Sequence, residues 1–189
     1  MMPGLRTPFS PTQFGGGIEV IPWDPGSEHF EAIAELFLKT WPRRYVLESA
    51  RRRLMEHATL SNFQGLVALS YSGQVTGFCY GHICLPGQWW HDQVEIWLGK
   101  ERTALEVTGS FNFTELAVDE MFQRRGVGRV LLEAMINNCG FDYSTLSTPC
   151  DNTPALALYT RTGWNTLVPR MFFSEVSEPF CVMGRRLTE

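Results

Sequence analysis

The chain has 189 residues, 44% hydrophobic and 19% charged, a composition that excludes disordered and fibrous classes and has the size of one domain. Its net charge of −4 argues against a broad nucleic-acid surface and suits small cationic partners better. Five scattered cysteines without a C-x-x-C pair exclude a disulfide framework and point to a reducing, cytoplasmic setting, and no apolar run reaches the roughly 20 residues a membrane span needs.

Residues 1–17 are rich in Pro, Gly and Ser, lack the apolar middle of a secretory signal, and are expected to form a flexible tail before a domain over 18–189. Ile18 to Trp23 reads as a strand, with a turn at Asp24-Pro25-Gly26. Ser27 is placed to cap a helix in which Phe30, Ile33, Ala34 and Phe37 form one apolar stripe. Pro42 is expected to open a second helix with Leu47, Ala50 and Leu54 on one face, and the arginines of this segment read as a solvated face. Leu66 to Tyr71 and Gln74 to Leu85 form a hairpin about Ser72-Gly73. Trp89 to Leu98 carries a helical stripe at Trp90, Val94, Trp97 and Leu98.

Phe111 to Val118 is an apolar strand. It runs into Asp119–Phe122, then Gln123-Arg124-Arg125-Gly126-Val127-Gly128, then a helix with Val127, Val130, Leu131, Ala134 and Met135 on one face. Tyr143 to Ser147 is a short strand. Thr153 is expected to cap the next helix, with Pro154 at its first position and Ala155, Leu156 and Tyr159 along its face. Trp164 to Val168 and Pro179 to Leu187 complete the strands.

The junction at Gln123–Arg129 carries the chemistry. Glycine lets a ligand approach the backbone, and the first turn of a helix presents N–H groups and a positive dipole end, so strand, loop and helix together form a cradle for phosphate. The pattern is neither a Walker A loop, since no Lys-Ser or Lys-Thr follows, nor a dinucleotide fingerprint, since Leu131 stands where a third Gly is needed. The bland alternative is a tight turn whose glycines merely join strand to helix.

These residues resemble the GNAT superfamily of acetyl-CoA-dependent acyltransferases. The resemblance rests on Gln123, Gly126 and Gly128 after Ala117-Val118, and on Asp151-Asn152-Thr153-Pro154-Ala155 through Leu158-Tyr159 to Gly163-Trp164. It implies an α/β single domain with a mixed six- to seven-stranded splayed sheet and helices on both faces. It implies that the main chain of Gln123, Arg124, Arg125, Gly126, Val127, Gly128 and Arg129 holds the pyrophosphate of acetyl-CoA. The strand segment Leu116, Ala117 and Val118 would pair with the pantetheine arm, as a peptide adds to a sheet edge. Asn152 would bond the arm, and Tyr159 would sit near the sulfur and donate a proton to the leaving thiolate. The Val118 N–H would meet the developing oxyanion.

A general base is harder to place. The family's usual strand positions hold Asn112 and Thr114, neither of them a base, and another holds Ser147. Glu115 is one residue off, facing the other way on a regular strand unless a bulge turns it. Either Glu115 is catalytic or water relays the proton. His82 reads as a structural histidine, Cys150 lacks an activating base in its neighbourhood, and no His or Cys spacing indicates a metal. Trp41, Tyr45, Trp89, Trp90 and Trp97 could wall an acceptor pocket for an apolar or cationic amine, or could instead be core or a homodimer contact. The expected activity is direct acetylation of a primary amine on a small molecule or polypeptide. The alternative is a coenzyme A-binding sensor or assembly module without turnover.

Overall fold

The computed structural model describes residues 12–14, 17–42, 44–174 and 176–188. In chain order its elements are β1 (Thr12–Phe14), β2 (Ile18–Pro22), α1 (Phe30–Thr40), α2 (Leu47–Ala58), β3 (Gln64–Leu69), β4 (Val75–Ile83), α3 (Trp89–Leu98), α4 (Lys100–Glu106), β5 (Phe111–Val118), α5 (Val127–Asn138), β6 (Tyr143–Pro149), α6 (Thr153–Arg161), β7 (Asn165–Met171) and β8 (Phe180–Arg186). Eight strands thus stand among the described residues where six to seven were expected; the addition is the three-residue β1, paired with β2 through Phe14↔Ile18. Of the expected tail, residues 1–11 and 15–16 lie outside the described residues. Among the described residues no helix is long and apolar enough to cross a membrane.

The chain divides into two compact units, with β4 and β5 running through both. The first comprises residues up to Gly81 and Glu115–Gly140. Here β1 to β4 form an antiparallel succession, with registers such as Val20↔Ala68 and Val67↔Phe78. Strand alternation sends successive side chains to opposite faces. Phe78 and Tyr80 join the cluster built by Trp23, Phe30, Ile33, Ala34, Phe37, Ala50 and Leu54, so α1 and α2 cover one face of this part of the sheet. Cys79 points the other way, its Sγ 3.7 Å from the Leu131 carbonyl of α5. Gly77 makes this approach close: a Cβ there would lie 2.9 Å from the Ala117 oxygen and 3.1 Å from Leu131 Cδ1.

Two helix starts differ from expectation. Ser27 does bond a backbone N–H, that of His29 at 3.2 Å, but the cap position is His29 because the preceding turn continues through Phe30 N–H to Ser27 O. Pro42 does not open α2. The Arg44 and Tyr45 N–H groups turn back to the Trp41 carbonyl, and α2 starts at Leu47, where the Ser49 hydroxyl accepts from the Val46 N–H at 3.0 Å. A connection carrying Trp41, Arg44 and Tyr45 results.

The second unit comprises His82–Thr114 and Phe141–Glu189. The start of β5 pairs in parallel with β6 at Phe111↔Ser144 and Asn112↔Thr145, β6 is antiparallel to β8, and β8 to β7, so the strand arrangement is mixed. Its core joins Val94 and Leu98 of α3 to Val168, Met171, Phe173, Phe180 and Val182. The buried stripe of α3 is His91, Val94 and Leu98, with Trp97 46% exposed, so Trp97 falls off the expected face. The helix α4 was not anticipated: only Thr103 of its seven residues is buried, and so short a segment writes no apolar stripe. The cap of α6 is Asn152, one residue before the expected Thr153.

Candidate active site

The cradle is built in the first unit. Asp119 ends the strand run with its N–H on the Thr76 carbonyl, and its side chain accepts from the Met121 N–H at 3.0 Å, closing a single 3-10 turn over Glu120–Phe122. The Gln123 amide donates to the Val118 carbonyl at 3.1 Å, tying the loop back to the strand end. Arg124 and Gly126 both take left-handed backbone, at φ 62 and 89. For arginine this conformation is uncommon and costs on the order of 1 kcal/mol, the kind of strain that gathers at binding sites. The first intrahelical bond of α5 runs from the Val130 N–H to the Gly126 carbonyl at 3.0 Å, which leaves the N–H groups of Val127, Gly128 and Arg129 as the open helix end. A Cβ at Gly126 would meet nothing within 4 Å, so space stands beside this end. Arg124, Arg125 and Arg129 are exposed; Arg125 lies over the Phe122 ring at 5.6 Å and Arg129 pairs with Glu133 at 2.7 Å. The donor set and its charge fit a pyrophosphate.

Glu115 stands on the same strand as the cradle, half-buried between Thr114 and Leu116. Its Oε2 accepts from the Trp41 indole N–H at 3.2 Å. Burial pushes its carboxyl up to about 7, against the smaller opposing effects of the Trp41 bond, the Arg53 charge, the Leu116 N–H and the Arg44 charge. A carboxyl poised near neutrality is suited to take a proton at physiological pH. Sequence reasoning had Glu115 turned from the usual base position. Its hydrogen-bond partner, Trp41, lies 74 residues away, beyond the reach of local spacing.

The remaining candidates lie in the second unit. Tyr159 is buried and meets Trp164 edge-on, with ring centroids 5.8 Å apart. The Trp164 indole N–H is buried and has no hydrogen-bond partner among the described residues. Asn152 Oδ1 accepts from the Ala155 N–H at 3.2 Å as the α6 cap, so any further bond from this side chain comes from Nδ2. Ser147 Oγ accepts from the Trp90 indole N–H at 2.9 Å, and Asn112 is buried. Trp89 stacks on Phe173 at 5.1 Å, and Trp97 leans on Phe172 at 6.5 Å. The His82 ring bonds the Ile83 carbonyl, and burial lowers its pKa. Cys150 Sγ lies 3.6 Å from the Pro169 carbonyl. His91, Asp92 and Glu95 of α3, not singled out by spacing, place their ligand-type atoms within 4.8 Å of one another.

A strand leading into an anion cradle at a helix start, with a carboxyl of near-neutral pKa on that strand, is the frame of a group-transferring enzyme. The model of the acetyltransferase (GNAT) family matches residues 30–164, and the chain belongs to this family. It is an N-acetyltransferase. It is 27% identical over 181 residues to a GCN5-like protein acetyltransferase of Mycobacterium tuberculosis, with 90% of this chain and 87% of that protein covered. Solved structures share the fold. Ard1 from Thermoplasma volcanium aligns with a TM-score of 0.63 and 20% identity, over 92% of this chain and 99% of that one. The NatC complex bound to Gag peptide and CoA aligns with a TM-score of 0.66 and 19% identity, over 90% and 99%. The ribosomal-protein-S18-alanine N-acetyltransferase of Escherichia coli aligns with a TM-score of 0.62 and 15% identity, over 91% and 95%.

Proposed function

We propose that the protein acetylates a primary amine of a small molecule or polypeptide by direct transfer from acetyl-CoA. The observation that carries this reading is Glu115: a carboxyl raised to about 7, held by Trp41, on the strand that feeds the anion cradle. Acetyl-CoA supplies an activated thioester carbonyl. The open N–H groups of Val127, Gly128 and Arg129 and the exposed Arg124 and Arg125 hold its pyrophosphate, and Gln123 keeps their loop against the strand end. Leu116, Ala117 and Val118 offer backbone for its pantetheine arm, and the Val118 N–H serves as oxyanion donor. Glu115 takes the amine proton on its carboxylate. Tyr159 Oη supplies a proton to the departing sulfur, and Asn152 Nδ2 bonds the arm; both enter through the family motif. The free thiols of all five cysteines support the cytoplasm as the place of action.

Thiol release from acetyl-CoA with a panel of amines tests the reading. Release that depends on an added amine and on Glu115 supports it, and binding of acetyl-CoA without release from any amine refutes it.

A further inference from the structure

Between β4 and β5 the chain makes an excursion through α3 and α4. Two backbone bonds close its base, Cys84 N–H to the Ser110 carbonyl and Gly109 N–H to the Cys84 carbonyl, each at 2.8 Å. Inside this excursion three side chains form a continuous hydrogen-bonded series. The His91 ring is buried. Its Nδ1 lies 3.0 Å from Asp92 Oδ1 and 4.0 Å from Glu95 Oε2, and its Nε2 lies 2.9 Å from the hydroxyl of Thr108.

Donor accounting sets the direction of the series. The Gly87 N–H and the His91 bond hold the Asp92 carboxyl below its usual range, so near neutrality it is a carboxylate and only accepts. In the neutral His91 ring the proton therefore sits on Nδ1, and Nε2 turns its lone pair to Thr108. The Thr108 hydroxyl has one proton and two acceptors in reach, Nε2 at 2.9 Å and the Thr103 carbonyl at 3.2 Å. That carbonyl already accepts from the N–H groups of Val107 and Thr108, both at 2.9 Å, so the hydroxyl donates to the imidazole. A carboxylate that orients a base, and a base that receives the proton of a hydroxyl, are the arrangement that activates a nucleophile. Thr108 and Gly109 are exposed, and a Cβ at Gly109 would meet nothing within 4 Å, so the hydroxyl is open to a reagent.

We infer that Thr108 is a nucleophilic hydroxyl that takes an acyl group from an activated ester or thioester, with His91 as its base and Asp92 as a positioning residue. Thr108 Oγ1 bonds to the acyl carbon as its proton passes to His91 Nε2. The bond from that carbon to the leaving oxygen or sulfur breaks with its electron pair, and His91 returns the proton to the leaving group. The products are an acyl-threonine and a free alcohol or thiol. A threonine alkoxide leaves less readily than a phenolate or thiolate. The N–H groups of Thr108, Gly109 and Ser110 are all committed to carbonyls, so this turn lends hydrolysis no donor and the acyl-threonine accumulates. This chemistry is separate from amine acetylation and does not depend on it.

The test incubates the protein with p-nitrophenyl acetate in one arm and with acetyl-CoA in the other, and follows acetylation of Thr108 by intact mass and peptide mapping. One acetyl group on Thr108 is expected in at least one arm, and that arm identifies the donor. Its rate should level off once the imidazole is neutral. In Asp92→Asn the new amide can donate to Nδ1 and move the ring proton to Nε2. The rate should then fall at least tenfold and climb with hydroxide across the whole pH range. His91→Gln should behave alike, and Asp92→Asn, at an exposed position, gives the reading if His91→Gln folds poorly. Absence of acetyl-threonine at this position in both arms would overturn the inference. So would an unchanged rate and pH profile in Asp92→Asn, which would leave a series that only ties α3 to the end of α4.

Discussion

The Trp41 indole N–H donates to Glu115 Oε2 at 3.2 Å and so joins the end of α1 to the strand that leads into the anion cradle. Because this bond favours the charged carboxylate, it opposes the burial that raises the Glu115 pKa to about 7. In the proposed role Glu115 works only when deprotonated, so kcat/KM of the wild type should rise with pH through about 7. Glu115→Gln should cut turnover by roughly 10²- to 10⁴-fold and flatten this acid limb. Trp41→Phe removes the donor and should move the limb to higher pH. A Glu115→Gln enzyme with normal turnover and an unaltered profile would assign the proton to water.

The same carboxyl links stability to pH. Its folded pKa, about 7, lies above the reference value of 4.5, so the native state binds the proton more tightly than the unfolded chain. The stability this contributes is fully present below about 4.5 and is lost as pH rises through about 7. Glu115→Gln removes the titration. Its melting temperature should exceed that of the wild type by a few degrees at pH 8, with the difference shrinking toward pH 4. A difference of constant size across this range would show that Glu115 is not the group concerned.

Gly128→Glu places a carboxylate beside the N–H groups of the first turn of α5. The new charge would compete with phosphate for the helix end. Calorimetry should find acetyl-CoA binding lost, while circular dichroism shows the helices retained. Unchanged affinity in the folded variant would refute the cradle assignment.

Tyr159→Phe keeps the ring that packs against Trp164 and removes one hydroxyl. Turnover should fall by roughly 10- to 1,000-fold, the scale of a lost general acid, with acetyl-CoA affinity nearly unchanged. A variant with full turnover would leave Tyr159 a packing role only.

Gly77→Ala tests how closely α5 is seated on the sheet. The added methyl would stand 2.9 Å from the Ala117 carbonyl and 3.1 Å from Leu131 Cδ1, so backbone or helix must shift. A loss of about 1–3 kcal/mol in chemical denaturation is expected, the usual cost of overpacking. Unchanged stability would mean that α5 yields freely.

Local pattern made much of this molecule legible from its sequence. The stripe of α5, the turn residues of the hairpin and the Gln123–Gly128 run are all contiguous, and the elements stand where they were read. The misreadings share a cause. Pro42, Ser27 and Thr153 are each acceptable at a helix start, and the choice was made by neighbouring backbone turns, at Ser27–Phe30 and Trp41–Tyr45, and by Asn152 reaching the Ala155 N–H. α4 is too short to write a pattern. The surroundings of Glu115 were illegible for a stronger reason: Trp41, Arg44 and Arg53 are brought to it by the fold, and no spacing along the chain encodes that meeting.

The connection between α1 and α2 does two things with the same atoms. Its Trp41 holds the carboxylate, and its Arg44 lies on that indole ring. A change in this segment therefore reaches Glu115 as well, through the indole N–H that favours its charged form. Substitutions between these two helices and the titration of the strand carboxyl are coupled through that contact.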